Sequence, residues 1–258
     1  MKVVVIIPAA GLGTRMSAAA AKRAAKTPGK KTPAPSKQFV ELGGVPILIH
    51  TLRKFLRSPQ VTEIFLALRK AEADQFKPQL DKELKAAGGK KVHIVEGGEH
   101  RQHSVANAMA KVKAAPDDVI LVHDAVRPFV DNDIIASVIA GAQKHGAVIA
   151  GVPAVDTIKQ VDRTAEGAIV ASTIPRERVV QAQTPQGFRY DVLKKAFDEA
   201  QSEGFLGTDE ASLVERMGHD VAVVMGSPKN IKITTPDDLE LAEFFVAQED
   251  RRRASLTG

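Results

Sequence analysis

The sequence predicts an α/β fold: a doubly wound, mostly parallel sheet from which a β-arm projects. Three observations carry that prediction. Short β-branched apolar runs alternate with longer segments of helical period, the rhythm of a sheet wound with crossover helices. Most of these runs are continuously apolar and do not alternate, as expected of strands covered on both faces. With 44% hydrophobic residues in 258, the chain also has the material for a buried core.

Taken in order, VVVIIP at residues 3–8 is the first strand. One Lys before so short an apolar run, with a glycine-containing loop after it, argues against reading this N-terminus as a secretory signal. A helix is predicted over 46–57, the strand TEIFLAL over 62–68, a helix over 70–87 and the strand KVHIV over 91–95. In the next helix, 101–114, Val105, Ala108, Met109 and Val112 recur at i, i+3, i+4 and i+7 and form one sheet-facing stripe. The strand DVILVHD (118–124), a helix over 131–145 and the strand AVIAGVP (147–153) complete the alternation, with right-handed crossovers.

Two stretches break the rhythm. Residues 154–172, AVDTIKQVDRTAEGAIVAS, hold two β-like runs around the turn-prone DRTAEG and predict the projecting antiparallel arm. Residues 17–36, SAAAAKRAAKTPGKKTPAPS, are low in complexity, rich in Ala, Lys and Pro, and unsuited to a core. The expected layout is one domain over 1–258 that carries this basic loop and the arm.

The charge balance is 36 Lys plus Arg against 31 Asp plus Glu, a net +5, which points towards an anionic partner. The loop alone holds Lys22, Arg23, Lys26, Lys30 and Lys31 and no acid; subtracting those five from 36 leaves 31 basic residues against 31 acidic. The excess belongs to one loop, so no nucleic-acid-binding face is expected. Zero Cys excludes disulfides, thiolate metal sites and a cysteine nucleophile, and zero Trp with one Tyr leaves few rings for base stacking. No apolar run approaches the roughly 18–20 residues that span a bilayer, so a cytoplasmic protein with no membrane partner is expected.

Several short segments could carry chemistry. PAAGLGTRM ends the first strand, where Gly11 and Gly13 let backbone N–H groups approach a phosphate and Arg15 adds a positive fork. It is neither the dinucleotide fingerprint, which wants a third Gly where Met16 stands, nor a P-loop. VHDAVRP sets Asp124 at the carboxyl edge of a parallel sheet, where a carboxylate can hold Mg²⁺ together with a polyphosphate. His123 beside it reads as a core residue, and His100 with His103 lacks the further ligands a zinc site needs. GGEHRQHSV repeats the glycine-then-helix logic, with Arg101 and Ser104 in the first turn, able to meet a base edge or a phosphate. Lys37, Thr184 in QTPQGF, Thr208 and Asp209 in GTDEAS, and Lys232 in a predicted short strand NIKITTP are each weak alone.

Together, PAAGLGTRM, SKQF, GGEHRQHSV, VHDAVRP, AVDTIK, QAQTPQGF, TDEAS and NIKITTPDDL, in this order over roughly residues 2–247, resemble the 2-C-methyl-D-erythritol 4-phosphate cytidylyltransferases. The resemblance implies a Rossmann-like nucleotidyltransferase fold and a homodimer formed through the arm. It also implies Mg²⁺-dependent transfer of CMP from CTP to a sugar-alcohol phosphate in non-mevalonate isoprenoid synthesis. By the same resemblance, Arg15 and Lys37 match positions that stabilise the transition state at the α-phosphate, and Asp124 matches the magnesium-associated carboxylate. Ala9, Ala10, Gly11, Gly98, Glu99 and Ser104 align with cytidine and triphosphate contacts. Asp156, Thr157, Arg176 and Lys232 align with residues that hold methylerythritol phosphate, Arg176 and Lys232 being counted with the catalytic set, while Arg127, Thr184 and Thr208 fall in matching motifs. Glu99 stands where the family carries a shorter residue, and the segment from Met16 to Lys37 is longer than the family's.

The reaction needs no protein nucleophile, since a substrate phosphate oxygen attacks the α-phosphorus and pyrophosphate leaves. Ribitol 5-phosphate is the alternative acceptor; PAAG and TDEAS favour methylerythritol phosphate. Two other classes, a basic nucleic-acid-binding protein and a dinucleotide-dependent oxidoreductase, are disfavoured by the charge balance and by the missing third glycine.

Overall fold

The computed structural model describes residues 1–11, 36–86 and 90–257. Arg15, Gly13 and the basic loop as far as residue 35 lie outside the described residues.

Eleven strands are described: β1 (Val3–Pro8), β2 (Glu41–Leu42), β3 (Val45–Pro46), β4 (Glu63–Leu68), β5 (Lys91–Glu96), β6 (Val119–Val122), β7 (Ala147–Pro153), β8 (Ile158–Thr164), β9 (Gly167–Ile174), β10 (Val180–Arg189) and β11 (Ala222–Met225). The helices are α1 (Ile47–Arg57), α2 (Lys70–Ala86), α3 (Arg101–Met109), α4 (Asn132–His145), α5 (Tyr190–Ser202), α6 (Glu210–Arg216) and α7 (Pro236–Thr257). Seven strands form the main sheet in the order β11-β7-β10-β6-β1-β4-β5. Every pairing is parallel except those of β10, which runs antiparallel to both β6 and β7. The predicted mostly parallel, doubly wound sheet is therefore present.

Period-two side-chain alternation with both faces covered explains why the strands read as unbroken apolar runs. In β1, Val3, Val5 and Ile7 join one core cluster with α1, α2 and α4, while Val4 and Ile6 join another with α3, α5 and α6. β6 divides the same way, Val119 and Leu121 to the first cluster and Ile120 and Val122 to the second. The α3 stripe also lies where its spacing predicts, with Val105, Ala108, Met109 and Val112 buried, although the helix ends at Met109 and Val112 packs from the turn that follows. A third, smaller cluster (Leu42, Ile47, Val126, Phe129, Ile233, Ala242) fastens α7 and the β2–β3 hairpin beside the loop after β6. That hairpin turns at Gly43 (φ 59°) and Gly44 (φ 75°), a pair of left-handed conformations that favour glycine.

The arm is β8 and β9, paired antiparallel from Ile158↔Ile174 to Thr164↔Gly167 and separate from the main sheet. One expected element is absent: Lys232 lies in no strand. The Ile233 N–H donates to the Val126 carbonyl at 2.9 Å, but no ladder forms around this bond and the segment remains an irregular strap.

Neighbours of β1 are β4 on one side and β6 on the other, so the winding reverses at β1, and the loops after β1 and β6 splay apart there. A crevice at such a switch point is where open α/β sheets receive ligands.

Candidate active site

Three loops meet at that crevice. The chain leaves β1 through Ala9, Ala10 and Gly11, with the Ala9 N–H still bonded to Ala67 O at 2.8 Å. Beside it, Gly97 and Gly98 lead from β5 into α3. A Cβ on Gly97 would stand 2.2 Å from that of Ala10, and one on Gly98 2.3 Å from that of His103. Glycine is thus required at 97 for the two loops to approach and at 98 for the chain to turn tightly into α3. The Gly98 N–H donates to Ser104 Oγ at 3.0 Å, and the Ser104 hydroxyl itself faces the carbonyl of His100 at 3.2 Å. Ser104 is 2% exposed and shapes the loop.

Lys37 begins a single 3₁₀ turn, Lys37–Phe39. Gln38, buried next to it, donates from Nε2 to Ala9 O at 2.6 Å, so the lysine's turn is riveted to the end of β1. These loops enclose a cavity of about 150 Å³ lined by Ala9, Ala10, Gly11, Lys37, Gly98, Glu99, Arg101, Ser104, Asp124 and Lys232, among others. A second cavity, about 190 Å³, is lined by Arg101, Asp124, Arg127, Thr184, Thr208, Asp209 and Lys232 among others. Arg101, Asp124 and Lys232 line both. Larger depressions of about 910 and 750 Å³ lie along β5 and between α3 and α5, away from this charge cluster. Chemistry, not size, selects the crevice.

Asp124 is the hub. Its Oδ1 accepts from Arg101 Nε at 3.2 Å, and its Oδ2 is 2.9 Å from Lys232 Nζ and 3.5 Å from Arg127 Nε. Burial alone would oppose ionisation of Asp124, but Arg101, Lys232 and Arg127 outweigh it and hold the carboxyl well below the usual carboxylate range. Behind Asp124 runs a neutral relay. Its backbone N–H donates to Thr184 Oγ1 at 3.0 Å, and the Thr184 hydroxyl lies 3.1 Å from His123 Nδ1. His123 Nε2 is 3.0 Å from Arg127 O. A carbonyl can only accept, so Nε2 carries the proton and Nδ1 accepts from Thr184. Burial lowers the His123 pKa to about 4 and keeps the ring neutral, in agreement with its reading as a core residue.

One further charge belongs to the cluster. Glu210, 1% exposed, accepts from Arg101 Nη1 through both oxygens, at 2.7 and 2.6 Å. Burial pushes the Glu210 carboxyl up, and Arg101 opposes that shift. The cluster therefore sets Arg101, Arg127 and Lys232 against Asp124 and Glu210, an excess of one positive charge, at an edge suited to anions. Among the described residues no three His, Cys, Asp or Glu side chains gather into a metal cage. One ionised carboxylate facing a phosphate-sized space is instead a donor set of the kind that could hold Mg²⁺ together with substrate phosphate oxygens.

Most predicted site residues are brought together. Ala9, Ala10, Gly11, Lys37, Gly98, Glu99, Arg101, Ser104, Asp124 and Lys232 line the first cavity; Arg127, Thr184 and Thr208 line the second. Asp156, Thr157 and Arg176 line neither: they sit exposed at the root of the arm, where Arg176 Nη1 donates to Val155 O at 3.1 Å. Arg101, expected to contact substrate directly, has its guanidinium engaged by Glu210 and Asp124. Sequence reasoning gave no role to Glu210 or Gln38. A Glu at the first position of a helix looks like ordinary dipole compensation, and a Gln after a Lys carries no pattern at all.

The model of the 2-C-methyl-D-erythritol 4-phosphate cytidylyltransferase family matches residues 3–248. The protein of that name from Acidobacterium capsulatum is 53% identical over 252 residues, 98% of this chain and 100% of its own. Its counterpart from Solibacter usitatus is 49% identical over 253 residues, covering 98% of both chains. Among solved structures, the 2-C-methyl-D-erythritol 4-phosphate cytidylyltransferase of Francisella tularensis superposes with a TM-score of 0.72 at 35% identity, over 95% of this chain and 99% of that one.

Proposed function

Because the chain belongs to the 2-C-methyl-D-erythritol 4-phosphate cytidylyltransferase family, we infer that it transfers CMP from CTP to 2-C-methyl-D-erythritol 4-phosphate and releases pyrophosphate, a step of isoprenoid precursor synthesis. The observation that best supports a residue-level reading is the partition of the crevice: two cavities share Arg101, Asp124 and Lys232 as their common wall. We assign the first cavity to the nucleotide and the second to the sugar phosphate. The α-phosphorus then lies at the wall, where an oxygen of the acceptor phosphate attacks as the bond to the bridging oxygen of the pyrophosphate breaks.

Each residue acts on charge. Lys37, with Arg15 from the segment outside the described residues, balances the triphosphate as negative charge builds at the α-phosphate. Lys232, 2.9 Å from Asp124, can bridge from the carboxylate to either anion. Arg127 offers its guanidinium to the acceptor phosphate beside Thr184 and Thr208. Asp124 would hold Mg²⁺, which when bound supplies charge neutralisation between the phosphates.

Asp156, Thr157 and Arg176 enter through a second copy. The arm exposes Val161, Ile169 and Val170 at 43, 65 and 56%, and a lone two-stranded hairpin with such side chains in water is marginal at best. A homodimer in which each arm covers the other protomer would bury them and carry its root towards the neighbour's second cavity. A cytoplasmic enzyme fits the nucleotide co-substrate and the absence of Cys.

The test is pyrophosphate release from CTP and Mg²⁺ with each candidate acceptor. Turnover with 2-C-methyl-D-erythritol 4-phosphate and little with ribitol 5-phosphate is expected; equal or preferred use of ribitol 5-phosphate would overturn the acceptor assignment.

A further inference from the structure

Glu210 is the one fully buried carboxylate of the charge cluster that lines neither cavity. Sinking a charge so deeply is strongly unfavourable unless an opposite charge meets it with good geometry. Arg101 does so, and the bond pattern shows what the pair holds. Arg101 Nη1 is gripped by both Glu210 oxygens, while its Nε reaches Asp124 Oδ1 at 3.2 Å. Glu210 is fixed in turn by the start of α6. Asp209 caps that helix, accepting from the Ser212 N–H at 3.0 Å. Gln186 of β10 donates to Asp209 Oδ2 at 2.6 Å and accepts from the Ala211 N–H at 3.1 Å. A continuous chain of bonds thus runs from the antiparallel strand through α6 and α3 to one oxygen of Asp124.

We infer that Glu210 is a positioning residue for the cytidylyl transfer: it orients Arg101 against Asp124 and offsets the arginine's charge, so that Asp124 can still attract a divalent cation. Without Glu210, Asp124 would face Arg101, Arg127 and Lys232 with no second carboxylate in the cluster. Their summed repulsion would oppose cation binding most strongly in so buried a place. The inference rests on the reading of Asp124 as the cation-holding carboxylate.

The experiment titrates Mn²⁺ into the CTP complex, followed by electron paramagnetic resonance, alongside kcat, KM for CTP and thermal unfolding. Glu210→Gln is expected to weaken Mn²⁺ binding about 10-fold and to lower kcat by a similar factor, with KM for CTP little changed. Adding Arg101→Gln to it should return Mn²⁺ affinity towards wild type while kcat stays low, because the uncompensated charge has gone but the positioning has not returned. A purely structural Glu210 would lower the melting temperature and leave Mn²⁺ affinity intact in every variant, which would overturn the inference. If Glu210→Gln does not fold, Glu210→Asp keeps the charge and shortens the reach; it should bind Mn²⁺ more weakly than wild type, and unchanged affinity would again overturn the inference. Asp124→Asn separates the two levels. Loss of Mn²⁺ there with full retention in Glu210→Gln sinks the role of Glu210 alone, whereas retention in Asp124→Asn sinks the reading of Asp124 and the inference with it.

Discussion

The crevice around Asp124 and the β8–β9 arm are opposites in one chain. At the crevice, Asp124, Arg127 and Glu210 are buried, Arg101 is half-buried and only Lys232 is exposed, and all five charged side chains interlock within hydrogen-bonding or ion-pair distance. Along the arm, every residue from Lys159 to Thr173 is exposed, apolar ones included, and the hairpin pairs only with itself. The first region is organised within a single protomer; the second has side chains whose burial requires something outside it. A site that joins two polyanions gains from a rigid charged floor, while its acceptor-binding periphery, on the proposed reading, arrives with a second copy.

The largest expected effect tests the floor. Asp124→Ala should lower kcat by about 10³-fold with the fold retained, measured as pyrophosphate release at saturating CTP and Mg²⁺. A loss below about tenfold would mean that the floor is not where the cation is held. Next comes Lys37→Ala, expected to lower kcat by roughly 10² or more, because Gln38 fixes the lysine's turn independently of the lysine itself. Near-wild-type turnover would remove Lys37 from the chemistry.

A charge on the arm separates the two regions. Val170→Asp, opposite Val161 in the hairpin, should shift the mass in light scattering from dimer to monomer. KM for methylerythritol phosphate should rise roughly 10-fold, about 1.4 kcal/mol, while CTP binding holds. A variant that stays dimeric, or loses CTP binding equally, would erase the proposed division of labour. The smallest effect lies on the strap that carries Lys232. Asp238 Oδ2 accepts from the Thr234 and Thr235 N–H groups, both at 2.8 Å; burial opposes ionisation there, but these bonds prevail and its pKa is lowered. Such a carboxylate stabilises the fold fully above its unfolded pKa of about 4 and loses that contribution as the pH falls through its lower folded value. Asp238→Asn should therefore cost about 1 kcal/mol at pH 7 by thermal unfolding, and the difference from wild type should shrink towards pH 2.

The parallel half of the fold was legible because its strands are covered on both faces. β1 and β7 begin and end where their apolar runs do, at Val3–Pro8 and Ala147–Pro153. β10 was not legible as a strand, since QAQTPQGF is polar and contains Pro185. Its polar side chains are turned to other work: Gln183 donates to Ser227 O at 2.8 Å, and Gln186 clamps the start of α6. Strand propensity cannot register a residue whose partner lies 44 positions away.

The sequence by itself determined the alternation of strands and helices, the loops that carry the glycines and cations, the neutrality of the chain outside one basic segment, and the family resemblance. These are properties of neighbouring residues and of short ordered motifs. Only the tertiary structure decided that Arg101 serves Asp124, that Glu210 is buried behind it, and that Arg176 stands apart from both cavities. Each of these depends on which side chains the winding of the sheet brings within about 3 Å, the range over which hydrogen bonds act and which sequence distance does not measure.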